Sequence, residues 1–228
     1  MAKSNLKPTY FLPLFMFLVI VNLVGGHFEY NKLRDLSKPL ILLSLLIYFG
    51  INGRGLKKTT YILMLSALFF SWMGDILLKY EAESSSFFIY GLIAFLTAHL
   101  LYCITFTKRW NNNASTSFWA VLILLITYGM ILFFQLKDEL GQLMIPVIIY
   151  VSAILLMAIT GYRRKDMVST ESFKLVFMGA LLFIASDSIL AINKFLNPVP
   201  YSHILVMGTY AAAQFLITKG VLTQDSYK

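Results

Sequence analysis

The feature of this sequence that most limits its fold is the regular return of long apolar runs, about every 25 to 30 residues, with short charged stretches between them. Roughly 20 apolar residues cross the hydrocarbon of a bilayer as a helix, and a short loop completes each interval. The runs predict spanning helices near residues 10–24, 38–52, 58–79, 87–107, 116–136, 143–162, 173–195 and 202–219. The expected architecture is all-α: a polytopic membrane protein with about eight transmembrane helices, forming a single transmembrane domain over residues 1–228. The composition, 58% hydrophobic and 13% charged, lies far from that of a water-soluble domain. Lys3 and Lys7 ahead of the first run resemble the start of a signal peptide. No small-residue cleavage site follows Val24, however, and further spans come at once, so this run is read as a helix, a short one holding Pro13 and Asn22.

The net charge of +8 would suggest nucleic acid in a soluble protein, but here the basic residues flank the apolar runs and act as topology signals. No nucleic-acid partner is expected. Lys3 and Lys7, the Arg54, Lys57 and Lys58 group, Lys108 and Arg109, the Arg163, Arg164, Lys165 and Lys174 group, and Lys219 and Lys228 hold most of the 19 Lys and Arg residues. By the positive-inside rule they put both termini in the cytoplasm, opposed by Lys32, Arg34 and Lys38 between the first two runs. The lone cysteine, Cys103, lies inside the fourth run, so no intrachain disulfide and no zinc cluster is available, and no metal or other cofactor is expected.

Two stretches resemble each other. Ser71-Trp72-Met73-Gly74-Asp75 ends in an acid after a small residue, as does Ala185-Ser186-Asp187, and the acids stand 112 positions apart, near half the chain. Pro39 and Pro146 lie near the starts of the second and sixth helices. Four helices per half would make two parallel repeats, with the two acids at similar depth.

A carboxylate within a span costs several kcal/mol unless it faces protein or a wet cavity. Asp75 shares a helix face with Ala67, Ser71 and Gly74, and Asp187 with Gly179, Phe183 and Ser186, small residues that let helices approach. Both acids are therefore expected to point into the bundle. The blander alternative, reaching the headgroups, fits Asp75 near its helix end better than the deeper Asp187. Phe95, His99, Tyr102 and Phe106 form one stripe of the fourth helix, which would either line the same cavity or hold a hydrogen-bonded packing histidine. Tyr210 and Gln214 sit one turn apart on the eighth helix, where packing is as good an explanation as function. Lys38-Pro39 is expected to open the second helix, with Arg34 one turn before it; these cations would hold a phosphate at the interface or serve as flanking charge. No Gly-rich phosphate loop, His-Glu-x-x-His or Gly-x-Ser-x-Gly motif appears, so serine-hydrolase and zinc chemistry lack support.

Taken in order, Lys38-Pro39-Leu40, Gly74-Asp75, Ala98-His99-Leu100-Leu101-Tyr102, Ser186-Asp187 and Ala213-Gln214 resemble the YhhN family of membrane proteins, whose characterised members are lysoplasmalogenases. The resemblance covers about Lys38 to Gly220. It implies hydrolysis of the vinyl ether of a lysoplasmalogen to a fatty aldehyde and glycerophosphoethanolamine or glycerophosphocholine, in a bacterial cytoplasmic membrane, with the lysophospholipid and membrane lipids as partners. Such chemistry needs one acid to protonate the alkenyl carbon and one carboxylate to activate water, as in glycoside hydrolysis. The resemblance assigns these roles to Asp75 and Asp187, with Lys38, His99, Tyr102, Ser186, Tyr210 and Gln214 around the substrate. The competing expectation is a proton-coupled transporter using the same acids. Transporters often carry broken helices, and the placing of all six prolines near predicted ends speaks for the hydrolase.

Overall fold

The structure, a computed structural model, describes residues 8–113 and 115–224; Lys3, Lys7 and Lys228 lie outside the described residues. Among the described residues there are eight α-helices and no strand: α1 Pro8–His27, α2 Asn31–Asn52, α3 Lys58–Lys79, α4 Ser85–Thr107, α5 Thr116–Leu136, α6 Met144–Tyr162, α7 Thr170–Phe195 and α8 Ser202–Leu222. Each is long and apolar enough to cross a membrane. Single 3-10 turns, Gly53–Gly55 and Gly141–Leu143, follow α2 and precede α6. Ser115 and Ser169 cap α5 and α7, their hydroxyls accepting from the backbone N–H of Phe118 and Ser172 and so satisfying donors that no helical turn can reach.

The side chains are sorted as lipid demands. Large apolar residues such as Phe17, Ile62, Ile123, Leu124, Phe134 and Ile145 are exposed, while Asn22, Ser71, Asp75, His99, Arg164, Gln214 and Thr218 are buried. Lipid tails are as apolar as leucine, so sequestering polar groups and closely packing small ones hold such helices together.

The chain forms two compact units that divide within α4, after Tyr102. In the first unit α1 packs along α2, and α2 along α3. Asn22 fastens the first pair: its Nδ2 donates to the Arg34 carbonyl at 3.0 Å and to Ser37 Oγ at 3.1 Å. A Cβ on Gly25 would come within 2.9 Å of the Arg34 backbone nitrogen, so only glycine permits this approach. In the second unit α7 and α8 form the most extensive contact, and α6 packs on α5 and α7. A core of Leu132, Leu136, Leu140 and Val147 meets Ala191, Ile192 and Phe195 of α7.

One expectation is corrected. Pro39 does not open α2; the helix starts at Asn31 and carries Pro39 inside it. Asn31, Lys32, Arg34 and Asp35 read as a polar loop because counting apolar residues finds the part of a helix that crosses hydrocarbon, not the turns that extend beyond it. Proline supplies no N–H to the preceding turn. Around this gap Ser37 Oγ donates to the carbonyls of Leu33 at 2.6 Å and Arg34 at 3.1 Å. Pro13 likewise lies inside α1. The premise that helix interiors hold no proline therefore fails.

Candidate active site

In the first unit Asp75 is 2% exposed, on the α3 face that also buries Ala67, Ser71 and Gly74. This face is deep because α4 crosses it closely. A Cβ on Gly74 would lie 2.6 Å from the Phe95 ring of α4, and one on Gly91 would lie 2.7 Å from Leu78. Lys38 reaches Asp75 from α2, its Nζ 3.7 Å from Oδ1. The ammonium that the sequence turns toward a lipid phosphate is thus engaged with the carboxylate itself. Such a pair is costly to break from the lysine side, since the carboxylate would stay buried while Lys38 is itself 24% exposed. His99 and Tyr102 are fully buried, with Phe95 on the same stripe at 7% exposure. The Ser71 hydroxyl and the Trp72 indole N–H, one turn before Asp75, are buried and lack a hydrogen-bond partner. Buried polar atoms are usually satisfied, which sets these two apart.

In the second unit Asp187 is half-buried on α7 and accepts a 2.6 Å hydrogen bond at Oδ2 from the Tyr150 hydroxyl of α6. The next residue, Ser188, accepts from Tyr128 of α5 at 2.7 Å and donates to the Ile184 carbonyl. Tyrosines from two helices therefore pin α7 at the level of its acid. Ser186 donates to the Val206 carbonyl of α8 at 3.0 Å, which makes it a helix-pairing residue. The rings of Phe183 and Tyr210 meet edge to face at 5.4 Å, and Gln214 one turn beyond is fully buried. Asp75 is thus the more buried acid and Asp187 the more open one.

The structure thus gathers Lys38 with Asp75 in one unit and Ser186 and Tyr210 into the α7–α8 contact of the other. Tyr150, Trp72 and Asn22 were missed as polar participants. Tyr150 did carry a signal, a phenol in the middle of the apolar α6 run, but nothing local to α6 points it at Asp187.

Comparison with known proteins bears on these helices. The sequence profile of the YhhN family matches residues 33–221, from the first turn of α2 to the end of α8. Among similar proteins, Lysoplasmalogenase TMEM86A of Bos taurus is 34% identical over 153 residues, covering 66% of this chain and 61% of that protein. Lysoplasmalogenase TMEM86B of Homo sapiens is 32% identical, covering 70% of this chain and 63% of that protein. The Lysoplasmalogenase of Mycobacterium bovis is 29% identical, covering 69% of this chain and 59% of that protein. The chain therefore spans about three-fifths of the length of these relatives. No solved structure matches. With the profile running through Lys38, Asp75, His99, Asp187 and Gln214 on the helices that bury or pair them, the chain belongs to the YhhN family.

Proposed function

We propose that this protein is a membrane-embedded hydrolase that cleaves the vinyl ether bond of lysoplasmalogens, with Asp75 and Asp187 as its two catalytic carboxyl groups, one the acid and the other the carboxylate that activates water. The observation that carries this reading is that each intramembrane acid is engaged by a polar side chain from a neighbouring helix, Lys38 for Asp75 and Tyr150 for Asp187. A carboxylate is kept in a span at such cost only for a purpose. The relatives named lysoplasmalogenase supply the substrate class.

The chemistry balances with two carboxyl groups and one water. A carboxylic acid protonates the alkenyl carbon beta to the ether oxygen, leaving an oxocarbenium ion. The second carboxylate takes a proton from water as its oxygen adds to that ion. The resulting hemiacetal collapses to a fatty aldehyde and the glycerol hydroxyl of glycerophosphoethanolamine or glycerophosphocholine. Proton transfers of this kind contribute about 10²- to 10⁴-fold each. His99 and Tyr102 orient water or the ether oxygen, Ser71 and Trp72 offer unpartnered hydrogen-bonding groups beside Asp75, and Gln214 meets the glycerol. Lys38 acts first on Asp75, as its ion-pair partner. The lysophospholipid is drawn from the surrounding bilayer of a bacterial cytoplasmic membrane, with both termini of the chain in the cytoplasm.

The test is aldehyde release from lysoplasmenylethanolamine by the purified chain in detergent. Native activity that Asp75→Asn and Asp187→Asn each reduce at least a hundredfold supports the acid pair; activity within a few-fold of native in either variant overturns it. A second reading, proton-coupled transport, draws on Pro39 inside α2, a feature of broken transporter helices. Absence of aldehyde release from any alkenyl lipid would favour it.

A further inference from the structure

At the end of the second unit remote from Asp187, the loop between α6 and α7 buries a cluster of cations that the hydrolase reading does not use. Arg164 is fully buried, and its Nη2 donates to Ser172 Oγ at 3.2 Å and to Gln224 Oε1 at 3.1 Å. Its Nη1 has no hydrogen-bond partner. Arg163, 7% exposed, lies with its guanidinium carbon 4.6 Å from the ring centroids of both Trp110 and Phe118, and its Nε also lacks a partner. Among the described residues no carboxylate comes within ion-pair distance of either arginine. Asp166, the acid nearest in sequence, is exposed on the loop.

The surroundings add positive charge. Burial, and then the charge of half-buried Arg109, pull the Arg164 guanidinium down to about 9, so that it remains charged at neutral pH. The Ser172 hydroxyl already donates to the Gly220 carbonyl at 2.6 Å, so toward Arg164 it acts as an acceptor. Asn111 clasps the loop from the α4 side, its N–H on the Arg163 carbonyl at 2.7 Å and its Nδ2 on the Lys165 carbonyl at 2.9 Å. Among the described residues, the guanidinium groups of Arg163 and Arg164 are thus held in place by packing and by neutral groups. A buried, uncompensated charge costs several kcal/mol, and a second cation beside it raises that cost. An anion removes the cost, and guanidinium forks match phosphate oxygens in shape as well as charge.

We propose that Arg163 and Arg164 form a binding site for a phosphate group, supplied by an anionic lipid headgroup or by free phosphate. It is distinct from the site of hydrolysis: along α7 the 15 residues from Ser172 to Asp187 span about 22 Å at 1.5 Å per residue. It lies at the foot of α6, α7 and α8, just past the end of the apolar run of α6, and a helix that spans the hydrocarbon meets the headgroups at such an end. A phosphate there ties the α6–α7 loop to the end of α8, so its occupancy is read as stability of the folded chain.

The experiment measures thermal unfolding of the purified full chain in a maltoside detergent, with two additions at matched ionic strength: inorganic phosphate against chloride, and phosphatidylglycerol against detergent alone. The native chain is expected to rise by about 5 °C at saturation with at least one of them. Arg164→Gln is expected to show neither rise, while Arg54→Gln, an exposed cation in the other unit, keeps the native response. A rise with inorganic phosphate shows that the free ion suffices; a rise with phosphatidylglycerol alone identifies the lipid. No rise in the native chain with either addition, or equal rises in the native chain and Arg164→Gln, would overturn the site and leave the arginines as a latch between α7 and α8. Should Arg164→Gln not fold, Arg163→Gln decides: a half-saturating concentration raised about tenfold supports the site, and an unchanged one overturns it.

Discussion

At the scale of single residues, the two acids are set apart by their partners. Asp75 faces a cation and Asp187 a phenol. Removing the cation by Lys38→Met leaves a buried carboxylate without it, a change expected to destabilise the protein by on the order of 3 kcal/mol. Adding Asp75→Asn to that variant is expected to recover part of the loss in thermal unfolding, because the buried charge is gone. Tyr150→Phe keeps the ring and removes the donor to Asp187. Under the proposed hydrolysis it is expected to lower aldehyde release about tenfold, less than Asp187→Asn, since a hydrogen bond to a charged group contributes about 1.5 kcal/mol or more. Both acids were legible in the sequence because a charge inside an apolar run needs a compensating environment wherever the helix lies. Tyr150 was not, because a tyrosine is at home in a span with or without a partner, and its target depends on how α6 is rotated against α7.

At the scale of elements, helix pairs are set by small residues. A Cβ on Gly179 would lie 2.9 Å from the Ala213 carbonyl oxygen and 2.8 Å from Ile217, and one on Gly220 would meet Val176 at 2.7 Å and the Ser172 carbonyl at 3.0 Å. Backbone meets backbone here, which is why α7 and α8 form the most extensive pair. Gly179→Ala is therefore expected to destabilise by about 1–3 kcal/mol, since a carbonyl of a packed helix cannot step aside as a side chain can. Gly208→Ala, in the same α8 with nothing within 4 Å of the added Cβ, is expected to be neutral or to stabilise by up to about 1 kcal/mol. Thermal unfolding of the two variants checks the contrast. The sequence placed Gly179 on the Asp187 face by helical spacing, but which helix would press against it was not written there. Helix bounds show the same division. The expected 58–79 and 116–136 agree with α3 and α5, where Lys57, Lys58 and Lys79 or the polar stretch before Thr116 bracket the run. α2 begins seven residues before its expected start, because its first two turns are polar and still helical.

At the scale of the whole molecule, the proposed orientation makes a prediction that a chain with one buried cysteine suits well. In a Cys103→Ala background, Ser84→Cys, between α3 and α4, is expected to react with a membrane-impermeant thiol reagent on intact cells. Lys57→Cys, between α2 and α3, is expected to react only after permeabilisation. The opposite pattern would invert the chain and rest on Lys32, Arg34 and Lys38 outweighing the other loops. What the sequence by itself determined is the bilayer environment, the eight spans and the identity of the two intramembrane acids. Each follows from a cost that every residue meets in hydrocarbon regardless of its neighbours. What only the tertiary structure decided is which groups meet: Lys38 with Asp75, Tyr150 with Asp187, Asn22 with the turn before Pro39, and Arg164 with Ser172 and Gln224. Such meetings depend on the rotation and depth of one helix against another, and close contact between backbones at glycine sets those two quantities.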